Sequence, residues 1–127
     1  MTATHRNAFA EFVGTALLMT TVIGSGIAAQ RLSPGDAGLQ LLENALVTGA
    51  ALVALILALG PASAAFNPVV TLVERALGAV TTRDALASIA AQLAGGAVGA
   101  VIANLMFDKP AVTLARHVRS SGGLWLG

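Results

Sequence analysis

Charged residues are so widely spaced along this chain that three long apolar runs separate them. Nineteen uncharged residues lie between Glu11 and Arg31, 30 between Glu43 and Glu74, and 23 between Asp84 and Asp108. Each run can reach the ~20 residues that a helix needs to cross a bilayer. None shows the alternation and turn spacing of a membrane barrel. The first run predicts a helix over about residues 9–30, closed by the turn cluster Ser33-Pro34-Gly35-Asp36. The second predicts a helix over about 40–59, stopped by Gly60-Pro61. The third predicts a helix over about 84–107, with Thr81-Thr82 as its capping region and Asp108-Lys109-Pro110 at its end. A tail, 108–127, follows.

The second run is longer than one crossing requires, and it breaks twice, at Gly60-Pro61 and at Asn67-Pro68. After Asn67 the pattern turns helical again, from Pro68 to about Gly78. Eleven residues rise about 16 Å, roughly half of a ~30 Å hydrocarbon core. That stretch is too apolar for a surface loop and too short to span, so residues 60–78 fit a re-entrant loop and half-helix. Asn is a favoured N-cap, and Pro at the first helical position has a suitable φ and lacks a donor that would go unpaired. The same pair also suits an ordinary helix start in an interfacial loop, and spacing alone leaves the two open.

Composition narrows the class. Charged residues make up 10% of the 127, hydrophobic residues 56%, and mean hydropathy is +0.81. A soluble domain of this size has too little interior for that much apolar surface, which excludes a soluble enzyme, a disordered chain and a coiled coil. The net charge of +1 offers no field for nucleic acid. There is no cysteine, hence no disulfide framework and no thiolate metal site. The opening run resembles a secretory signal in its weakly positive start and its small residues at 26–29. Its length, with Glu11 and Gly14 inside it, favours a retained helix.

Phe66-Asn67-Pro68-Val69-Val70-Thr71-Leu72 resembles the first signature motif of the aquaporin, or major intrinsic protein, family, aromatic-Asn-Pro-Ala-Val-Thr. Ala10-Glu11-Phe12-Val13-Gly14-Thr15 is similar to that family's first helix and Ala91-Gln92-Leu93-Ala94-Gly95-Gly96-Ala97 to its third, in the same order and spacing. The resemblance covers about residues 8–107. It implies an all-α membrane protein, with three transmembrane helices plus one re-entrant half-helix forming one aquaporin-like repeat. Two departures stand out. The loop Ser63-Ala64-Ala65-Phe66 is one residue shorter than the family's, has no His, and is followed by Asn67-Pro68-Val69 in place of Asn-Pro-Ala. A whole member carries two inverted repeats and two Asn-Pro motifs, whereas this sequence carries one. Ser121-Gly122-Gly123-Leu124-Trp125-Leu126-Gly127 looks like the approach to a fourth helix.

The resemblance also implies roles. Asn67 would cap the half-helix with its oxygen and donate its NH₂ into a pore. Val69, after Pro68, would sit where two half-helices meet. Glu11 would accept hydrogen bonds from the non-helical loop, with Gln92 in the same polar network. The plain alternative for Glu11 is an acid snorkelling to the interface. Val47 or Thr48 on the second helix, with Ala65 and Phe66 on the loop, are the pore-lining candidates. Gly95, Gly99 and Ala103 recur every four residues and form a packing face, with Gly24, Gly26 and Ala28 crowding the end of the first helix. His5 and His117 are expected at solvated surface, and Glu74 and Arg75 at the aqueous end of the half-helix.

The implied function is passive conduction of water or small neutral solutes such as polyols and uncharged metalloid acids, without cofactor, metal or enzymatic chemistry. The partner expected is a second copy inserted in the opposite orientation, an antiparallel homodimer in the cell membrane, with a ring of four such dimers as an extension. Three crossings place Arg6, Arg75 and Arg83 on one side and Arg31, Lys109, Arg116 and Arg119 on the other, too even a split to fix orientation. The alternative is a truncated, non-conducting relic whose small-residue faces bind other helices.

Overall fold

The computed structural model describes residues 2–112, which form four helices. They are α1 (Ala3–Leu32), α2 (Ala37–Leu59), α3 (Pro68–Ala76) and α4 (Thr82–Met106). α1, α2 and α4 are long and apolar enough to cross a membrane. With no strand among the described residues, this is an all-α membrane protein. His117 and the segment 121–127 lie outside the described residues.

Helix boundaries depart from the hydropathy boundaries where capping chemistry intervenes. α1 starts at Ala3, ahead of the apolar run, because Thr2 is extended and its side chain accepts from the His5 amide. The polar turn Thr4-His5-Arg6-Asn7 is therefore helical although it is not apolar. α2 starts at Ala37, since the Asp36 carboxylate accepts the Leu39 amide at 2.9 Å. α4 starts at Thr82, since the Thr81 hydroxyl accepts the Asp84 amide at 3.1 Å. Its last residue is Met106, with Phe107 as C-cap. α3 is shorter than expected. It ends at Ala76, where Gly78 turns into the left-handed region with φ +76° and the Ala79 amide bonds back to the Glu74 carbonyl at 2.9 Å.

Packing is uneven. α1 lies against α4 and α2, and α3 lies on α4, while α2 touches no helix other than α1. The α1–α4 seam is built from small residues. A Cβ added to Gly95 would stand 2.3 Å from the Phe12 carbonyl oxygen, and one added to Gly99 2.3 Å from that of Ala16. Ala103 is wholly buried one turn further on. Thr20 uses the closeness, its hydroxyl lying 2.8 Å from its own-helix Ala16 carbonyl and 3.1 Å from the Gly99 carbonyl across the seam. In lipid, where apolar side chains gain nothing by leaving solvent, such backbone approach and hydrogen bonding hold helices together. Gly24 and Gly26 likewise make room, for the Phe107 ring and the Asn44 amide.

Thus Gly95→Ala, although it gains about 1 kcal/mol of helix propensity, must force the two backbones apart. A net loss of about 1–3 kcal/mol is expected, read as a lower thermal midpoint in detergent. Gly49→Ala, with nothing within 4 Å of its added Cβ, is the control and should leave the midpoint unchanged or raised.

Candidate functional site: a re-entrant loop held by a buried carboxylate

Between α2 and α3 the backbone leaves helical geometry. Gly60 completes the last turn by donating to Ile56, and Ala62 and Ser63 still donate to the Leu59 carbonyl. Beyond Ser63 no helical acceptor remains. Glu11 supplies one. Its carboxylate, fully buried on α1, accepts the Ala65 amide at 2.8 Å and the Phe66 amide at 2.7 Å. It also accepts the Ser63 hydroxyl, and from α4 the Gln92 side-chain NH₂ at 2.8 Å. Gln92 gives a further bond to the Thr71 hydroxyl at 2.9 Å, which ties α3 to the same point. Four neutral donors thus converge on one acid, and four chain segments meet there. The snorkelling alternative for Glu11 does not hold in this geometry.

Phe66 makes the convergence possible. Its φ of +47° lies in the left-handed region, disfavoured for a residue with a Cβ. Its ring is driven onto α1, where a Cβ on Gly14 would be 2.0 Å from Phe66 Cε1. Only glycine at position 14 leaves that space. Phe66 is therefore 6% exposed and points into the protein. This corrects its expectation as a pore-lining side chain: the ring packs against α1 at Gly14. Ala65 is half-buried beside it.

Asn67 follows at the N-terminus of α3. Its side-chain oxygen accepts the Val69 amide at 2.8 Å. The residue is exposed, and its NH₂ has no acceptor among the described residues, so both its hydrogens are available. Pro68 occupies the first helical position. Val69 beside it is 65% exposed, and Val70, Leu72 and Val73 continue an open apolar face. At the other end of α3, Arg75 is exposed and its Nε donates to the Thr82 hydroxyl at 2.8 Å, while Glu74 is half-buried. His5 is exposed on the first turn of α1.

Val47 is exposed on α2 and lines a groove with Thr21, Ser25 and Phe107. Thr48 is half-buried with its hydroxyl unpartnered. Two supports were not anticipated from the sequence. Thr71 is one; its four-residue spacing from Asn67 was the available signal. Asn7 is the other: with its amide nitrogen turned inward it reaches the Ala3 carbonyl at 3.1 Å and the Ala62 carbonyl at 3.0 Å. It precedes Glu11 by one helical turn, so the two polar residues share a face. Among the described residues no group of His, Asp or Glu is placed to hold a metal ion.

Glu11→Gln would turn an NH₂ toward donors that need an acceptor. A loss of about 1–3 kcal/mol is expected, the cost of leaving a buried donor without its acceptor. Hydrogen exchange should show it locally, with the Ala65 and Phe66 amides exchanging at least tenfold faster while the α1–α4 seam stays protected.

Comparison with known proteins agrees with this architecture. The family model described as Major intrinsic protein matches residues 1–123. Among curated relatives, "Aquaglyceroporin AqpS" of Rhizobium meliloti (strain 1021) is 46% identical over 122 residues, covering 95% of this chain and 52% of that protein. "Probable aquaporin NIP7-1" of Arabidopsis thaliana is 35% identical, covering 85% and 42%. "Aquaporin A" of Dictyostelium discoideum is 40% identical, covering 74% and 34%. No solved structure matches. The chain spans about half the length of the curated relatives it matches. With the motif at Asn67, the acid at Glu11 and the family model across nearly all of its length, this chain belongs to the major intrinsic protein family.

Proposed function

We propose that this chain forms half of a passive membrane channel for water and small neutral solutes, completed by a second copy of itself in the opposite orientation. The observation that carries the reading is Asn67. Its oxygen is engaged in capping and its NH₂ is free, at the open N-terminus of a helix too short to cross. A helix N-terminus carries about half a positive charge, which orients hydroxyl dipoles and opposes cations. The names of the relatives, an aquaglyceroporin and two aquaporins, support the solute class.

Assembly follows from the same feature. One half-helix leaves polar backbone ends at mid-membrane, where each unsatisfied group costs several kcal/mol. A second half-helix from the other side meets that need, and a two-fold axis in the membrane plane supplies it. The two Asn67 side chains then face each other across the midplane, with the Val69 side chains packed between. In the sequence, Arg6, Arg75 and Arg83 on one side are nearly balanced by Arg31, Lys109, Arg116 and Arg119 on the other. The positive-inside rule therefore has little to act on, and dual topology in the cell membrane is the consequence. The residue after Val69 is Val70, where the family's second motif carries a mouth-narrowing Arg, so the pore admits glycerol and uncharged metalloid acids as well as water.

Asn67→Asp keeps the cap oxygen, loses both donors and puts an acid at the mouth of the half-helix. In stopped-flow swelling of proteoliposomes it should cut solute conductance at least tenfold while insertion and oligomer size stay unchanged. Parent-like conductance would remove the pore-donor role. A parent swelling no faster than lipid would favour a non-conducting membrane protein.

The absence of native cysteine allows a direct orientation test. His5→Cys in intact cells, treated with an impermeant maleimide, should label to about half. Complete labelling or none means one orientation and a different second half.

A further inference from the structure

The turn that joins α3 to α4 brings two arginines together at one end of the bundle. Arg75, in the last turn of α3, donates from Nε to the Thr82 hydroxyl at 2.8 Å. That bond holds the guanidinium over the start of α4 and leaves Nη1 and Nη2 without an acceptor among the described residues. Arg83 follows Thr82 and is exposed on the first turn of α4. The acid next to it is already engaged, since the Asp84 carboxylate accepts the Thr4 and Thr81 hydroxyls, each at 2.7 Å. Glu74, the acid beside Arg75, is half-buried on α3.

From Arg83 an apolar strip runs along α4 into the membrane. Leu86 and Leu93 are each 64% exposed, and Ala90 between them is open as well. Steps of three, four and three residues keep Arg83, Leu86, Ala90 and Leu93 on one face of the helix. Leu77, the C-cap of α3, is exposed beside the same turn. Two guanidinium groups at the head of an apolar strip match an amphiphile with a negative head. Phosphate oxygens accept from a guanidinium in pairs and in its plane, and an anionic head attracts arginines at the membrane surface. A free anion would use the arginines and leave the strip idle. A zwitterionic lipid would fill the strip but bring its own cation to the phosphate.

We propose that Arg75 and Arg83 hold the phosphate of one anionic phospholipid whose acyl chain lies along Leu86, Ala90 and Leu93. Because one arginine belongs to the half-helix and the other to α4, the bound lipid clamps the outer end of α3 to the α1–α4 frame. The site does not depend on the channel reading. The purified protein is presented with equal amounts of dioleoyl phosphatidylglycerol and dioleoyl phosphatidylcholine in detergent, and the lipid retained on each chain is counted by native mass spectrometry. Phosphatidylglycerol should be kept at least fivefold more often, and it alone should raise the thermal midpoint. Arg75→Gln and Arg83→Gln should each cut that retention at least threefold, and the double variant should hold the two lipids equally. Lys at both positions, which keeps the charge and serves as the folding control, should retain a clear preference. Lys109→Gln, which removes a cation from the other end of the bundle, should leave the preference unchanged. Dihexanoyl phosphatidylglycerol, with the same head and chains too short for the strip, should bind more weakly. Equal retention of both lipids by the parent, or a preference that survives the double Gln variant, overturns the proposal. A midpoint raised as far by inorganic phosphate alone overturns it too, since the ligand is then an anion and the strip plays no part.

Discussion

A backbone that leaves the helix inside a bilayer has amides that lipid cannot satisfy, and Glu11 is the answer to that constraint here. Its two carboxylate oxygens accept the successive amides of Ala65 and Phe66 together with Ser63 and Gln92. An acid is suited to this because it offers acceptors only, with lone pairs enough for every donor that arrives. The left-handed turn at Phe66, the empty flank of Gly14 and the bond from Gln92 to Thr71 are all conditions for that meeting. Together they set the height and tilt at which α3, and with it Asn67, is presented.

Around this point the molecule is asymmetric in what it buries. The α1–α4 seam is closed at backbone contact by Gly95 and Gly99, which makes those two helices the rigid frame. α2 has no buried residue at all and rests on α1 alone. Val69, Val70, Leu72 and Val73 of α3 are exposed as well. The frame therefore orders the loop and α3, while α2 and the apolar face of α3 stay open.

Much of this was legible in the residues. Charge spacing marks three crossings, and Asn67-Pro68 in an overlong apolar run marks the short helix. The cap at Thr81 was legible, but the starts of α1 and α2 were less so, because Thr2 and Asp36 set them by hydrogen bonding and hydropathy records only the membrane. The direction of Phe66 was not legible, since it depends on a positive φ and on a glycine 52 positions earlier in the chain. Asn7 was passed over because a polar residue near a helix end looks solvated until the loop it ties is in place. What escapes a linear reading is long-range: each missed contact joins segments whose meeting no local pattern encodes.

The partners of Glu11 come late in the chain, at 63–66 and then at 92. A ribosome therefore delivers α1 to the bilayer with its acid unpaired. Charged groups within a membrane helix are costly, by a few kcal/mol at the helix centre, and Glu11 lies toward one end. During synthesis that end can stay near the interface and keep its acid hydrated. Ser63, Ala65 and Phe66 bring three of its four donors, and Gln92 brings the fourth once most of α4 has been made. The cover over the Glu11 carboxylate is thus assembled from segments made well after it, and its last donor lies in the third crossing.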